Sequence, residues 1–508
     1  MLRPLPMGHR RGPGTPHLSE YGYSLGQSVR PRGVPLYSRG DRSTRVIGPM
    51  GCGKTLMFML KVLRDAPGAA LATSTKPDIY HLSYDARQRI GPLAVLDPLG
   101  MAPSAPRLRW SPILGSENSR TAEKRGRAFA AGARDGGSAT SDGALFYRQQ
   151  AGTYLMCLFH AAALDGAGLR DVLKWARRPT DPAPRLILDR HPLAAPGWRD
   201  LLEQAMTGDN RTVGNTRSTV AQALSPFDHE DVVAAIDVAP GQQCTDLRQL
   251  VRDRGTAYVL GKDEAFSAVA PLLTAVVEDV LDAAEEVGYA SANSPRLDPW
   301  FVAILDELAN ITPIPSLRQR VMDGRGRGIA VVYAVQSWAS MRERYGPEQA
   351  TALESATSNA VVFSGDKDPK YLADLEQLCG QVEVVRASTN TGSGGIFGGG
   401  GSTSSTSYAT AWEPAVRAQE IARLPRTSKK AQVLVLAENL PPVISELTSL
   451  LADPHWAQIK ASADRAASAD EHARGGAKDL ELARNSAAAN RWEKMRSSLP
   501  AETTRTTP

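Results

Sequence analysis

The segment Gly48-Pro-Met-Gly-Cys-Gly53-Lys54-Thr55 fits the pattern G-x-x-x-x-G-K-S/T in full. No other stretch constrains the chain as tightly. A glycine-rich turn between a strand and a helix points successive backbone N–H groups, and the positive end of the helix, at phosphate oxygens. Thr44–Ile47 reads as the strand and TLMFMLKVLRDA as the helix. Gly48, Pro49, Met50, Gly51, Cys52, Gly53, Lys54 and Thr55 are therefore the predicted nucleotide-binding residues. Lys54 would neutralise the β- and γ-phosphates, and the Thr55 hydroxyl would ligate Mg²⁺. Cys52 reads first as a small residue that fits the loop, and secondarily as a redox-sensitive thiol.

A nucleoside triphosphatase also needs an acidic group at the end of a neighbouring buried strand. Trp300-Phe-Val-Ala-Ile-Leu-Asp306-Glu307 supplies one. Asp306 is the second predicted metal-binding residue, and Glu307 is predicted to polarise the attacking water. Paired acids here favour transfer to water over transfer to a second substrate, so a P-loop kinase is disfavoured. The strand GIAVVYAV ends in Gln336-Ser337, which places Gln336 to sense the γ-phosphate or position water. Just before it, Asp323-Gly-Arg325-Gly-Arg327-Gly reads as a glycine-flexible loop. One of its arginines would reach a neighbouring subunit's transition state, or both belong to a solvated turn.

Short apolar runs alternating with helices predict a doubly wound α/β sheet. The expected organisation is an Arg/Gly/Pro-rich segment, extended or loosely packed, over 1–42 and a first core part over 43–115. A helical insertion over 116–253, a second core part over 254–460 and an Ala-rich tail over 461–508, a frayed helix or disordered, complete it. Asn390–Ser407 reads as a flexible loop. Four widely spaced cysteines form no CxxC pair, which argues against a disulfide scaffold or thiolate zinc site. No stretch approaches the ~20 apolar residues of a membrane-crossing helix. The net charge of +5 implies no partner by itself. The first 45 residues, however, hold eight arginines against Glu20 and Asp41, either a solvated tail or a phosphate-contacting arm.

In combination these motifs resemble the ATPase core of the conjugative coupling proteins of type IV secretion, the TraG/TraD type. The resemblance is carried by Asp306-Glu307, the loop with Pro313 and Pro315, Gly324–Gly328, Gln336-Ser337 and Tyr345-Gly346. Ser74-Thr75-Lys76-Pro77-Asp78 and Asp97-Pro98 add to it. It covers roughly 44–115 and 255–445 and implies a RecA-like P-loop NTPase core with an inserted all-α domain, in a hexameric ring. It also implies ATP and Mg²⁺ as cofactors, with Arg325 as the inter-subunit arginine and Gln336 as the sensor. The implied partners are DNA, relaxase or relaxosome proteins, and secretion-channel components. Members usually carry transmembrane helices ahead of the nucleotide domain, and only 47 residues precede Gly48. The anchor is then a separate protein, the reading frame is truncated, or the chain is a soluble relative. The expected location is cytoplasmic, with membrane association through partners.

The expected function is ATP hydrolysis coupled to moving DNA, or a DNA–protein complex, during conjugation. A related hexameric translocase for chromosomes, packaging or export is the first alternative. A non-hydrolysing substrate receptor is the second.

Overall fold

The computed structural model describes residues 18–133, 141–207, 209–236, 238, 243–262, 269–291, 294–392, 403–438 and 440–497. Its centre is an 11-stranded sheet. The strands are β1 (Gly22–Ser28), β2 (Pro35–Arg39), β3 (Thr44–Ile47), β4 (Ala70–Ser74), β5 (Leu93–Leu96), β6 (Thr256–Leu260), β7 (Phe301–Leu305), β8 (Ile329–Val335) and β9 (Asn359–Phe363). A two-stranded ribbon of β10 (Gln381–Gly392) and β11 (Thr403–Pro414) stands apart from it, and β12 (Lys430–Ala437) and β13 (Val443–Thr448) complete the sheet. The order is β2-β1-β13-β12-β9-β3-β8-β7-β4-β6-β5. From β9 to β5 all neighbours are parallel, and from β2 to β9 they are antiparallel.

Parallel strands are covered on both faces, so their residues are apolar without alternation. In β7, Phe301, Ala303 and Leu305 enter one core, and Val302 and Ile304 enter the other. The second core is roofed by the helix that follows the phosphate loop, α1 (Leu60–Asp65), and holds Phe58 and Met59. Between β5 and β6 the described residues form helices without a strand, among them α2 (Ser119–Gly132), α3 (Ser141–Asp165) and α4 (Asn210–Leu224). Tyr154, Leu155, Phe159 and Phe129 join this region to the first core. Arg125 of α2 ties it to α5 (Ala270–Tyr289) through Asp279 at 2.8 Å.

Two expectations are corrected and a third is narrowed. Residues 22–39 are not loosely packed, since β1 and β2 extend the main sheet and Tyr23 and Leu25 are buried. Antiparallel pairing of β1 with β2 and with β13 outweighs the Arg/Gly/Pro composition. Asn390–Ser407 is not all loop, since its two ends belong to the β10–β11 ribbon, while 393–402 lie outside the described residues. The tail is helical over α8 (Trp456–Ser497) once α6 (Leu317–Arg327) and α7 (Trp338–Tyr345) are counted. Its first half is docked, because the buried Asp470 meets His81 Nε2 at 2.7 Å and accepts from Ser104 N at 2.9 Å. Residues 1–17 and 498–508 lie outside the described residues. No helix among the described residues is long and apolar enough to cross a membrane.

Candidate functional site

The phosphate loop leaves the C-terminal end of β3, where Gly48 N donates to Val335 O of β8 at 3.3 Å. Gly51 and Gly53 take φ values of 72° and 96°, which L side chains rarely adopt. A Cβ on Gly48 would lie 2.7 Å from Phe363 Cβ, so that position is closed to any larger residue. The chain then winds as a π turn over Thr55–Met59 before α1 begins, a feature that recurs at functional sites. The Lys54 ammonium donates to Gly48 O at 2.5 Å and to Pro49 O at 3.2 Å. Cys52 is buried and burial pushes its thiol up, with the Lys54 charge pulling the other way. That environment suits the space-filling role better than a reactive thiolate.

One strand, β8, separates β3 from the acidic strand β7. The loop nevertheless reaches across it, because Thr55 Oγ1 donates to Asp306 Oδ2 at 3.1 Å. Asp306 is 9% exposed. Its backbone is fixed by Thr73 of β4, whose hydroxyl accepts from Asp306 N at 3.1 Å and donates to Asp306 O at 3.4 Å. Burial pushes the Asp306 carboxyl up, against the Thr55 hydrogen bond and the charges of Lys54 and Lys76. Glu307 follows in the left-handed region, φ 52° and ψ 43°. A non-glycine residue is uncommon there and is held at a cost by its surroundings. Burial, then the neighbouring Asp306 charge, raise the Glu307 carboxyl, while Lys54, the Gln336 hydrogen bond and Lys76 lower it. Gln336 thus stands beside Glu307 at the end of β8. The predicted loop residues, Asp306, Glu307 and Gln336 come together at the C-terminal ends of the parallel strands β3, β7 and β8.

Three comparisons bear on this arrangement. Residues 301–426, from β7 through the ribbon, match the family model of the TraM recognition site of TraD and TraG. The bacterial conjugative coupling protein TrwBdeltaN70 in an unbound form superposes with a TM-score of 0.60 at 20% identity, covering 83% of this chain and 88% of that one. The fold is that of the conjugative coupling proteins. The plasmid coupling protein TrwB solved with ADP and Mg²⁺ gives 0.58 at 20% identity, covering 82% and 87%. TrwB with a non-hydrolysable GTP analogue gives 0.57 at 20% identity, covering 82% and 88%. Among curated proteins compared by sequence, none matches. The architecture is the RecA-like P-loop NTPase sheet with an all-α insertion that the motif resemblance implies.

Within this coupling-protein fold the two candidate arginines do not sit on a loop. Arg325 and Arg327 form the last turn of α6, which ends at Gly328 with φ 70°. That correction has a physical cause. Arg320 of α6 is buried against three acids of α5, Glu278 at 2.9 Å, Asp282 at 2.5 Å and Glu285 at 2.7 Å. Arg327 pairs with Glu285 and with Asp323 at 3.4 Å, and lies 4.8 Å from the Tyr289 ring centre. These contacts hold the helix through glycines that alone favour a turn. Arg327 is thus committed within its own chain. Arg325 is exposed and has no ion pair among the described residues. It stands where α6 enters the N-terminal end of β8, the edge opposite the phosphate loop, about 20 Å away along that strand.

Motif reading passed over Thr73, whose only sequence signal is a hydroxyl one residue before the end of a buried strand. It also missed Arg87, fully buried, which donates to Ala66 O at 2.5 Å, Gly68 O at 2.6 Å and Thr256 Oγ1 at 2.8 Å. Arg87 fixes the end of α1 to the sheet. Of the N-terminal arginines, Arg39 pairs with Asp41, Arg42 with Glu438 and Arg45 with Glu354. Arg30 and Arg32, in the β1–β2 turn, are exposed.

Proposed function

We propose that the chain is a Mg²⁺-dependent ATPase that moves DNA, or a DNA–protein complex, to a type IV secretion channel as a homo-hexameric ring. The observation that carries this reading is the convergence of Lys54 and Thr55 from the loop with Asp306 and Glu307 from β7. The hard oxygen donors of Thr55 and Asp306 fit Mg²⁺. Burial works against the Asp306 charge, and a divalent cation would relieve it. Held by Thr55 and Asp306, Mg²⁺ would supply positive charge against the phosphates. Lys54 turns from its own loop carbonyls to the phosphates. Glu307, its carboxyl aimed by a left-handed backbone, takes the proton of the attacking water, with Gln336 holding that carboxyl in place. Raised above the ordinary range, the Glu307 carboxylate is the stronger base.

The ring reading is supported by Arg325. It is too far from its own phosphate loop to serve it, and a neighbouring subunit is the one place where its charge acts on a transition state. Sequence-independent contacts to DNA phosphates would come from Arg30 and Arg32. Relaxosome proteins would dock within 301–426, the segment that matches the TraM recognition site. The first test is phosphate release from MgATP by wild type and Glu307→Gln. Release by wild type, lost in the variant while ATP still binds, is expected. Tight binding without release by wild type under every condition would favour the substrate-receptor reading.

A further inference from the structure

Beyond the residues already placed, a further charged group stands at the same end of the strands. Thr73, the residue of β4 in register with Leu305 of β7, brackets the Asp306 backbone through both of its hydrogen bonds. The segment Ser74-Thr75-Lys76-Pro77-Asp78 therefore leaves β4 beside Asp306-Glu307. Its backbone is fixed on both sides. Lys76 N donates to Ser74 Oγ at 3.1 Å, and Pro77 leads into a helical turn whose His81 is clamped by the buried Asp470. The Lys76 side chain is exposed and makes no hydrogen bond or ion pair among the described residues. Its charge nonetheless acts on Asp306 and Glu307 together, as that of Lys54 does from the other side.

Strand spacing decides which phosphate such a cation serves. Neighbouring strands lie about 4.8 Å apart, so β4 stands about 14 Å from β3, where the loop wraps the β-phosphate, but only one spacing from β7. A lysine side chain spans one such spacing and not three. We propose that the Lys76 ammonium contacts the γ-phosphoryl group of bound ATP and holds it in line with the water that Glu307 polarises, a reading that rests on the nucleotide site proposed above. Asp306 and Glu307 place two carboxylates against a highly charged phosphate, and Lys54 offsets one side of that concentration of charge. Lys76 offsets the other, where charge moves as the γ-phosphoryl leaves.

Nucleotide titration tests this on the full chain with Mg²⁺, using ADP and the non-hydrolysable β,γ-imido analogue of ATP as probes. Lys76→Ala is expected to leave the ADP Kd within about twofold, weaken the analogue about tenfold and lower kcat about a hundredfold, with Lys76→Arg recovering part of each. Equal effects on ADP and the analogue, or none on either, would overturn the role of Lys76 while the site itself stands. Failure of wild type to bind either nucleotide would overturn the site and this inference together.

Discussion

The Thr55 hydroxyl donates to Asp306 Oδ2 at 3.1 Å across 251 residues of sequence. That single contact joins the loop proposed to hold phosphate to the acid proposed to hold the metal, and it passes over the intervening strand β8. Thr55→Ala is expected to weaken nucleotide binding in the presence of Mg²⁺ by about tenfold and to change binding in EDTA much less. Titrations of ADP with and without the metal measure the contrast. Equal losses in both would assign Thr55 to phosphate rather than to metal.

The acid side of the pH profile follows from Glu307. Its carboxyl is raised by burial and by Asp306, and the ionised form is the one that accepts a proton. Activity is therefore lost as pH falls, with a midpoint above the ordinary glutamate value of ~4.3. The Gln336 hydrogen bond lowers that carboxyl, so Gln336→Ala moves the acid limb of kcat/KM to still higher pH. An unmoved limb would show that another group titrates.

How much of this was open to the sequence depended on whether a residue's neighbours were local. The phosphate loop was legible because its strand, glycines, Lys54 and helix are contiguous. Asp306 was legible because an unbroken apolar run ends on it. The left-handed backbone of Glu307 was not, since nothing in the local sequence marks a positive φ at a non-glycine residue. The same holds for α6: three glycines in 324–328 read as a loop, and only the acids of α5 hold Arg320 and Arg327 in a helix. The docking of α8 rests on Asp470, whose partners lie more than 360 residues away in sequence. Composition there indicated a frayed tail.

Arg87 supplies a stability prediction. Burial lowers its guanidinium to about 10, so it is charged at neutral pH with no carboxylate partner among the described residues, and its worth lies in the carbonyls it satisfies. Arg87→Met removes a buried charge, which favours the variant, but orphans Ala66 O and Gly68 O at about 1–3 kcal/mol each. The second term wins, and a net loss of about 3 kcal/mol, seen as a lower melting temperature, is expected. A variant that melts with wild type would show that water reaches those carbonyls.

Arg325 and Arg327 separate structure from catalysis. Arg327→Ala breaks pairs within its own chain and is expected to cost about 1 kcal/mol of stability. Arg325→Ala is expected to leave melting unchanged and to lower turnover about a hundredfold or more, as loss of a transition-state arginine does. Mixing Arg325→Ala with Lys54→Ala subunits would restore part of the turnover, because some interfaces then pair an intact loop with an intact arginine. No recovery on mixing would remove Arg325 from the interface role.

Whether hydrolysis drives nucleic-acid movement is measured most directly by MgATP turnover with and without single- and double-stranded DNA at several salt concentrations. Stimulation by DNA that weakens as salt rises is expected, because the proposed contacts are to phosphates. Equal turnover with and without DNA at every salt concentration would contradict it.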